Sequence, residues 1–331
     1  MTARTRYFVI VSLLVLGVGL GTGLVAYYVG VQGMPFARHG GPEELEYVPK
    51  DATVVAFANV QEIMHSDLRQ KLHRALPMKE NGQAELQNLT GINLESDVYR
   101  IVACLYTDAA ASRMSGTGMV LARGTFDETR IEALMRDHGA HVEDYKGKRL
   151  VVADVNADAA PRSFALTFME AGLAAFGTAD VIRQAVDLHQ NGSNAPAPVQ
   201  SVTANDELMG LVRSLDTGNN AWAVGRFDAL TSRAHLPANI AGQIPAITWF
   251  SVATHINGGV RGTLRAETRD DEAANNLRDV VRGFLALGKL QAGSRADIQA
   301  MMASLQLGGQ GKTVTLSFDV PAQVFDAIGL R

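Results

Sequence analysis

The stretch ITWFSVATHI-NG-GVRGTLRAET, residues 247–268, decides the fold class. Two runs rich in β-branched and aromatic side chains flank Asn257-Gly258, a pair suited to the positive φ angles of a type I′ turn. The pattern predicts an antiparallel hairpin. Directly after it, Asp270 precedes a 3.6-residue apolar rhythm and is the expected N-cap. The helix it opens runs over 270–290, with Leu277, Val280, Val281, Phe284, Leu285 and Gly288 on one apolar or small face. A second helix, 294–306, is capped by Ser294 and buries Ile298, Met301, Met302 and Leu305. Antiparallel hairpins interleaved with helices indicate an α+β fold, mainly antiparallel sheet with packed helices.

Working outward, the same order of elements recurs earlier in the chain. VYRIVACLYT (98–107) and GTGMVLARGTF (116–126) pair across an Ala/Ser-rich loop, 108–115, and Asp127 is placed to cap the next helix. GTGMVLARGTFDETRIEALM (116–135) lies on GVRGTLRAETRDDEAANNLR (259–278), with Leu121 on Leu264 and Asp127 on Asp270. AAFGTADVIRQAV (174–186) lies on LSFDVPAQVFDAI (316–328), with Phe176 on Phe318. VVAFANVQEI (54–63) lies on AWAVGRFDAL (221–230). The expectation is a duplicated domain: a first half over 49–190, a linker over 191–201 (NGSNAPAPVQS), and a second half over 202–331.

Nearer the N-terminus, Tyr7 to Val31 are 25 residues without one charge. As a helix they would span roughly 38 Å, enough to cross a ~30 Å hydrocarbon core with some tilt. Arg4 and Arg6 precede the run, whereas Glu43, Glu44 and Glu46 follow it. The positive-inside bias puts residues 1–6 in the cytoplasm, a transmembrane helix over 7–31, and the rest outside. A cleaved signal peptide would carry an apolar region of ~7–15 residues and a small-x-small site. This run is longer, and 23–27 offer no such site; no cysteine directly follows, which excludes lipoprotein processing. Residues 32–48 read as a tether. The expected setting is a bacterial cytoplasmic (inner) membrane, with the C-terminal domain in the periplasm or outside the cell. Gly17 and Gly21, with Gly19 and Gly23, form overlapping G-x-x-x-G pairs that would let a partner helix or a second copy approach. Glycine is also simply common in membrane helices.

Composition narrows the function classes. Thirty Lys and Arg against 34 Asp and Glu give a formal net charge of −4, with no basic excess for a general nucleic-acid binder. One cysteine excludes an intramolecular disulfide framework and multi-cysteine metal sites. No nucleophile elbow, Walker loop, dinucleotide fingerprint or His-Glu-x-x-His occurs. His138 and His141 read as a helix-end pair, and His65 and His73 as a surface stripe. Asp270, Asp271 and Glu272 suit capping and the helix dipole better than acid–base work. Cys104, mid-strand, reads as a small core residue, and Trp222 and Trp249 as core side chains on strands. Asn88-Leu-Thr90 and Asn191-Gly-Ser193 are glycosylation sequons. No catalytic residue, cofactor, metal site or small-molecule substrate is expected.

A basic N-terminus, one membrane segment, a tether and a domain opening YVPKDATVVAFANV resemble uncharacterised bacterial exported proteins. In those, a stretch like Pro49, Asp51, Ala52 and Thr53 opens the first strand of a duplicated α+β fold. The junction at 57–63, AFGTADVIRQAVD at 175–187, LRDVVRGFLALGKLQ and VTLSFDVPAQVF carry the likeness. The resemblance implies location and fold and brings no activity. The leading expectation is a non-enzymatic, membrane-anchored interaction or assembly module. Two alternatives stay open: a carrier or sensor of an apolar ligand such as a lipid, with a pocket between helices 270–306 and the sheet, and a hydrolase with an unfamiliar site.

Overall fold

The hairpin at 247–268 forms as read, with a different turn. The computed structural model describes residues 41–70, 87–88, 90–93, 95–106, 117–157, 160–191, 200–216, 218–227, 246–292 and 296–321. The segment 7–31 with Gly17 and Gly21, residues 1–6 (expected in the cytoplasm), residues 32–40 of the expected tether, 108–115 of the expected loop, 192–199 of the expected linker, His73 and Ser294 all lie outside the described residues. Among the described residues, no helix is long and apolar enough to cross a membrane. The expected mainly antiparallel α+β fold is what the structure has.

The chain divides into two units. Unit 1 takes Ala37–Gln61 and Lys79–Arg213; unit 2 takes Glu62–Met78 and Ser214–Arg331. In unit 1, seven antiparallel strands run in the order β1-β2-β3-β7-β6-β5-β4. They are β1 (Val54–Ala58), β2 (Val98–Tyr106), β3 (Thr117–Gly124), β4 (His141–Tyr145), β5 (Lys148–Ala157), β6 (Ala160–Glu170) and β7 (Leu173–Thr178). Helix α1 (Val60–Met64) follows β1, α2 (Glu128–Asp137) follows β3, and α3 (Ala179–Asn191) follows β7. Asp127 caps α2, its side chain accepting the Arg130 N–H. Along α3, Val181, Ile182, Ala185, Val186 and Leu188 are buried, the three- and four-residue spacing of one helix face. The helix packs on β6, β7 and β3, and the row Phe57, Val102, Leu121 and Ala175 across four strands is sealed.

Unit 1 also holds segments that sequence patterning placed elsewhere. Glu43–Tyr47, read as tether, is a 3₁₀ turn with Glu44 and Leu45 buried. Helix α4 (Asp206–Arg213) and the 3₁₀ turn Val202–Ala204 also belong to this unit. The Val202 N–H donates to the Val48 carbonyl at 2.7 Å, and Pro49 bridges Ser201. These contacts join residues about 150 apart in sequence, which local patterning cannot anticipate.

In unit 2, five antiparallel strands run in the order β8-β9-β10-β12-β11. They are β8 (Ala221–Arg226), β9 (Ile247–Ile256), β10 (Gly259–Thr268), β11 (Gln306–Gly308) and β12 (Thr313–Pro321), with α5 (Asp271–Ala292) and α6 (Ala296–Ser304) between β10 and β11. Asp270 caps α5 through the Ala273 N–H at 2.8 Å, as expected.

Three finer expectations are corrected. Ile256 pairs with Val260, so three residues span the β9–β10 turn, and neither Asn257 nor Gly258 takes a left-handed φ. The Asn257 carbonyl accepts the Leu68 N–H instead. The type I′ signature occurs at the two-residue β4–β5 turn, where Lys146 has φ 51° and Gly147 φ 75°.

Second, the apolar face assigned to α5 splits. Leu277, Val281, Leu285 and Gly288 lie half-buried along the side continuing from buried Ala273 and Ala274, whereas Val280 and Phe284 are exposed.

Third, the three expected residue matches do not share one strand register. Leu121 pairs with Val102 and Ala175, and Leu264 with Val252 and Leu316. Val102 and Val252 then face Phe57 and Ala223. Equating Leu121 with Leu264 therefore sets Ala175 on Leu316 and Phe57 on Ala223. It does not set Phe176 on Phe318 or Phe57 on Val224. Neighbouring strand residues point to opposite faces, so one position matters.

Candidate functional site

Two arginines face each other across the β2–β3 pair of unit 1. Arg100 and Arg123 are register partners, a placement that like charges oppose. The counter-charges come from the 3₁₀ turn Glu43–Tyr47 and the end of β6. Arg123 Nε donates to Glu44 Oε1 at 2.6 Å, and its Nη2 donates to Glu170 Oε1 at 2.8 Å. Arg100 Nη2 donates to Glu43 Oε1 at 3.2 Å and lies 3.3 Å from Glu44 Oε1. Glu44 is 1% exposed, so one carboxylate oxygen inside the unit serves both guanidiniums. Its second oxygen, Oε2, is buried, and among the described residues no donor reaches it. Burying a charge this way is costly unless it is paired. The pairing therefore fixes where the chain enters the fold.

The surrounding groups are tuned by the same burial. Burial alone would lower the Arg123 guanidinium, but its hydrogen bonds to Glu44 and Glu170 outweigh this and hold it above its ordinary value. The Tyr47 phenol is raised by burial and by the Glu170 charge. Its ring meets that of His189 at 5.5 Å between centroids. Burial, then the Lys148 charge, pushes the His189 imidazole below its ordinary value against the pull of Glu170. The cluster thus places three carboxylates, two guanidiniums, a protonated phenol and a neutral imidazole around one turn. Both guanidiniums already hold carboxylates, so the arrangement acts as a clasp; it offers no activated nucleophile.

The residues weighed from sequence are scattered. His138 terminates α2, its Nδ1 2.7 Å from the Leu134 carbonyl, and His141 opens β4; both are exposed. His65 is exposed. The Asp270 carboxyl is held down by the Ala273 N–H and by Arg269, as a cap should be, with Asp271 and Glu272 exposed in the first turn of α5. Cys104 is buried against the Tyr106 hydroxyl at 3.4 Å, and burial pushes its thiol up to about 12. Trp222 and Trp249 are half-buried on β8 and β9. Of the two sequons, Asn88 is exposed and Thr90 buried. Among the described residues, no group of three or more His, Cys, Asp or Glu could hold a metal ion.

Sequence reasoning passed over Glu44, Arg100, Arg123 and Glu170. Their signal is faint: one arginine inside each of two otherwise apolar strand patterns, VYRIVACLY and TGMVLARG. No protein family, no characterised protein and no solved structure matches this chain.

Proposed function

We infer that this chain is a single-pass, membrane-tethered extracytoplasmic protein whose folded part serves as a non-enzymatic interaction or assembly module. Residues 7–31 cross the membrane, the N-terminus lies in the cytoplasm, and a bacterial cytoplasmic membrane is the setting. The observation that carries this reading is the clasp. In sequence a 25-residue uncharged run is followed, with nine residues between, by Gly41, the first described residue. Three residues further on, Glu44 is locked between Arg100 and Arg123. A lateral pull on the tether meets a buried ion pair at the entry to the sheet, where a freely attached domain would have a polar linker.

The two units are, in this reading, divergent copies of one arrangement. Supporting it, β1-β2-β3-β7 and β8-β9-β10-β12 share strand order and direction, and an Asp-capped helix follows the third strand in each. The carrier alternative is weakened at its expected place. The Met302 side chain fills the notch at Gly288 between α5 and α6, and α6 packs on β12.

Native mass spectrometry of the full-length protein, extracted in mild detergent, tests the assembly reading. A defined protein partner, or a homo-oligomer that Gly17→Leu with Gly21→Leu dissociates, is the expected result. A bare monomer, or a retained small-molecule mass and no protein partner, overturns it.

A further inference from the structure

Side chains fasten the turn Glu43–Tyr47 to unit 1, whereas backbone fastens the chain just after it. Among the described residues, the backbone of 41–47 bonds only within the turn, and the Val48 N–H donates back to the Leu45 carbonyl. From Val48 onward the chain is tied in: the Val202 N–H donates to the Val48 carbonyl at 2.7 Å, and the Lys50 N–H to the Gln200 carbonyl at 2.8 Å. The turn itself holds on through buried Leu45 and through two contacts made of ionisable groups. At one end Glu44 is shared by Arg100 and Arg123, with Glu43 and Glu170 beside them. At the other end the Tyr47 ring meets that of His189 on α3.

The closed turn carries costs of its own. Arg100 and Arg123 are register partners, so the carboxylates hold together two charges that repel. Glu44 Oε2 is buried, and among the described residues no donor reaches it, so it forfeits its hydration. With these costs set against the ion pairs, a modest change at the Tyr47 end shifts the balance. His189 faces Tyr47 from the turn, Lys148 from β5 and Glu170 from β6; Tyr47 itself lies near Glu170, Arg123, Glu46 and Glu43. Burial, to which the Tyr47 ring contributes, and then Lys148 disfavour the imidazolium more than Glu170 favours it. A proton on His189 is therefore better accommodated with the turn lifted and the ring in water.

We propose that Glu43–Tyr47 is an acid-sensitive strap: a proton on His189 lifts it from unit 1, while Val48–Lys50 stay tied to Gln200–Val202. The sign follows from linkage. The closed strap keeps its full hold above the ordinary imidazole value near 6.5 and loses it as pH falls through the lower value of the closed state. The consequence for the tether rests on the reading of residues 7–31 as an anchor. With the strap closed, the nine residues 32–40 reach roughly 30 Å; with it open, the sixteen residues 32–47 reach roughly 55 Å. Acid on the extracytoplasmic side thus lets the folded part stand further from the membrane.

The experiment is pulsed spin–spin distance measurement on the full-length protein reconstituted in phosphatidylcholine vesicles, with nitroxides on Glu46→Cys in the strap and Thr129→Cys on α2. Both positions are exposed and outside the ion pairs, and the native Cys104 is buried. One narrow distance is expected at pH 7.5; at pH 5 a broad component grows several-fold, with the far-UV circular dichroism unchanged. His189→Phe keeps a ring against Tyr47 without a titrating group and should abolish that growth. A distribution that stays narrow at pH 5 overturns the strap. Growth that persists in His189→Phe, or that comes with a loss of circular dichroism, overturns it as well. Flotation of the same vesicles reads the anchor separately: protein left behind overturns the change in reach, whatever the labels report.

Discussion

Arg123 and Arg183 look alike in sequence, each an arginine paired to a glutamate, yet their surroundings set very different energies. Arg123 engages Glu44, whose side chain is excluded from water, while Arg183 and its partner Glu143 are both partly exposed. Arg123→Ala removes a charged hydrogen bond to a buried carboxylate and leaves Glu44 to Arg100 alone, at a cost of ~1.5–3 kcal/mol, whereas a partly exposed pair contributes ~0–1 kcal/mol. Arg123→Ala is therefore expected to destabilise the protein by about 2 kcal/mol in urea unfolding, and Arg183→Ala by under about 1 kcal/mol. Equal losses would contradict the clasp. His189 gives a pH dependence of known sign. Its folded-state pKa lies below the unfolded value near 6.5, because burial and Lys148 disfavour the imidazolium. Protonation thus favours the unfolded chain: the contribution is fully present above the unfolded pKa and is lost as pH falls through the folded one. His189→Phe keeps a ring against Tyr47 and removes the titration. Urea midpoints at pH 7.5 and pH 5 should differ less in this variant than in the wild type. The two arginines were visible in sequence as charges in apolar strands, but Glu44 lies 79 residues from Arg123 and was read as tether.

At the scale of elements, α5 shows where periodicity reaches its limit. The rhythm of Leu277, Val280, Val281, Phe284, Leu285 and Gly288 correctly announces a helix, and the Asp270 cap correctly places its start. Which part of that wide apolar arc turns inward is settled by α6. A Cβ at Gly288 would meet the Met302 methyl at 2.6 Å, so this notch and Met302 are matched. Met302 is buried and Leu290 is exposed on the same helical pair. Truncating a buried methionine costs ~2–5 kcal/mol, and truncating an exposed leucine shifts stability within ~0.5 kcal/mol. Met302→Ala should lower the thermal midpoint clearly, while Leu290→Ala leaves it unchanged; the reverse order would mean that α5 is rotated about its axis. The hairpin turns teach a related lesson. Asn257-Gly258 has the composition of a type I′ turn, yet the loop there is three residues long and its Asn257 carbonyl is used by Leu68. Lys146-Gly147, less conspicuous in sequence, takes the left-handed pair because its strands leave two residues to close them.

For the molecule as a whole, local rules and long-range packing divide cleanly. Alternation, helical rhythm, capping aspartates and a charge-free 25-residue run are properties of neighbours, and they determined the α+β class, the hairpins, the helix starts and the expectation of an anchor. The two hairpins read from sequence, β2–β3 and β9–β10, set consecutive strands side by side, but no local pattern indicates the β3–β7 and β10–β12 pairings. Tertiary structure decided the rest. Register across β3 and β7, or β10 and β12, joins strands about 50 residues apart, and a one-residue difference reverses the faces while leaving the strand pattern intact. The membership of Val202–Arg213 in unit 1 hangs on the Val48, Pro49 and Lys50 backbone, which no spacing rule connects to it. The burial of Glu44 and the exposure of Phe284 are the same lesson in opposite senses. Whether a side chain meets water is fixed by what distant segments bring to it, and a local pattern contains no term for that.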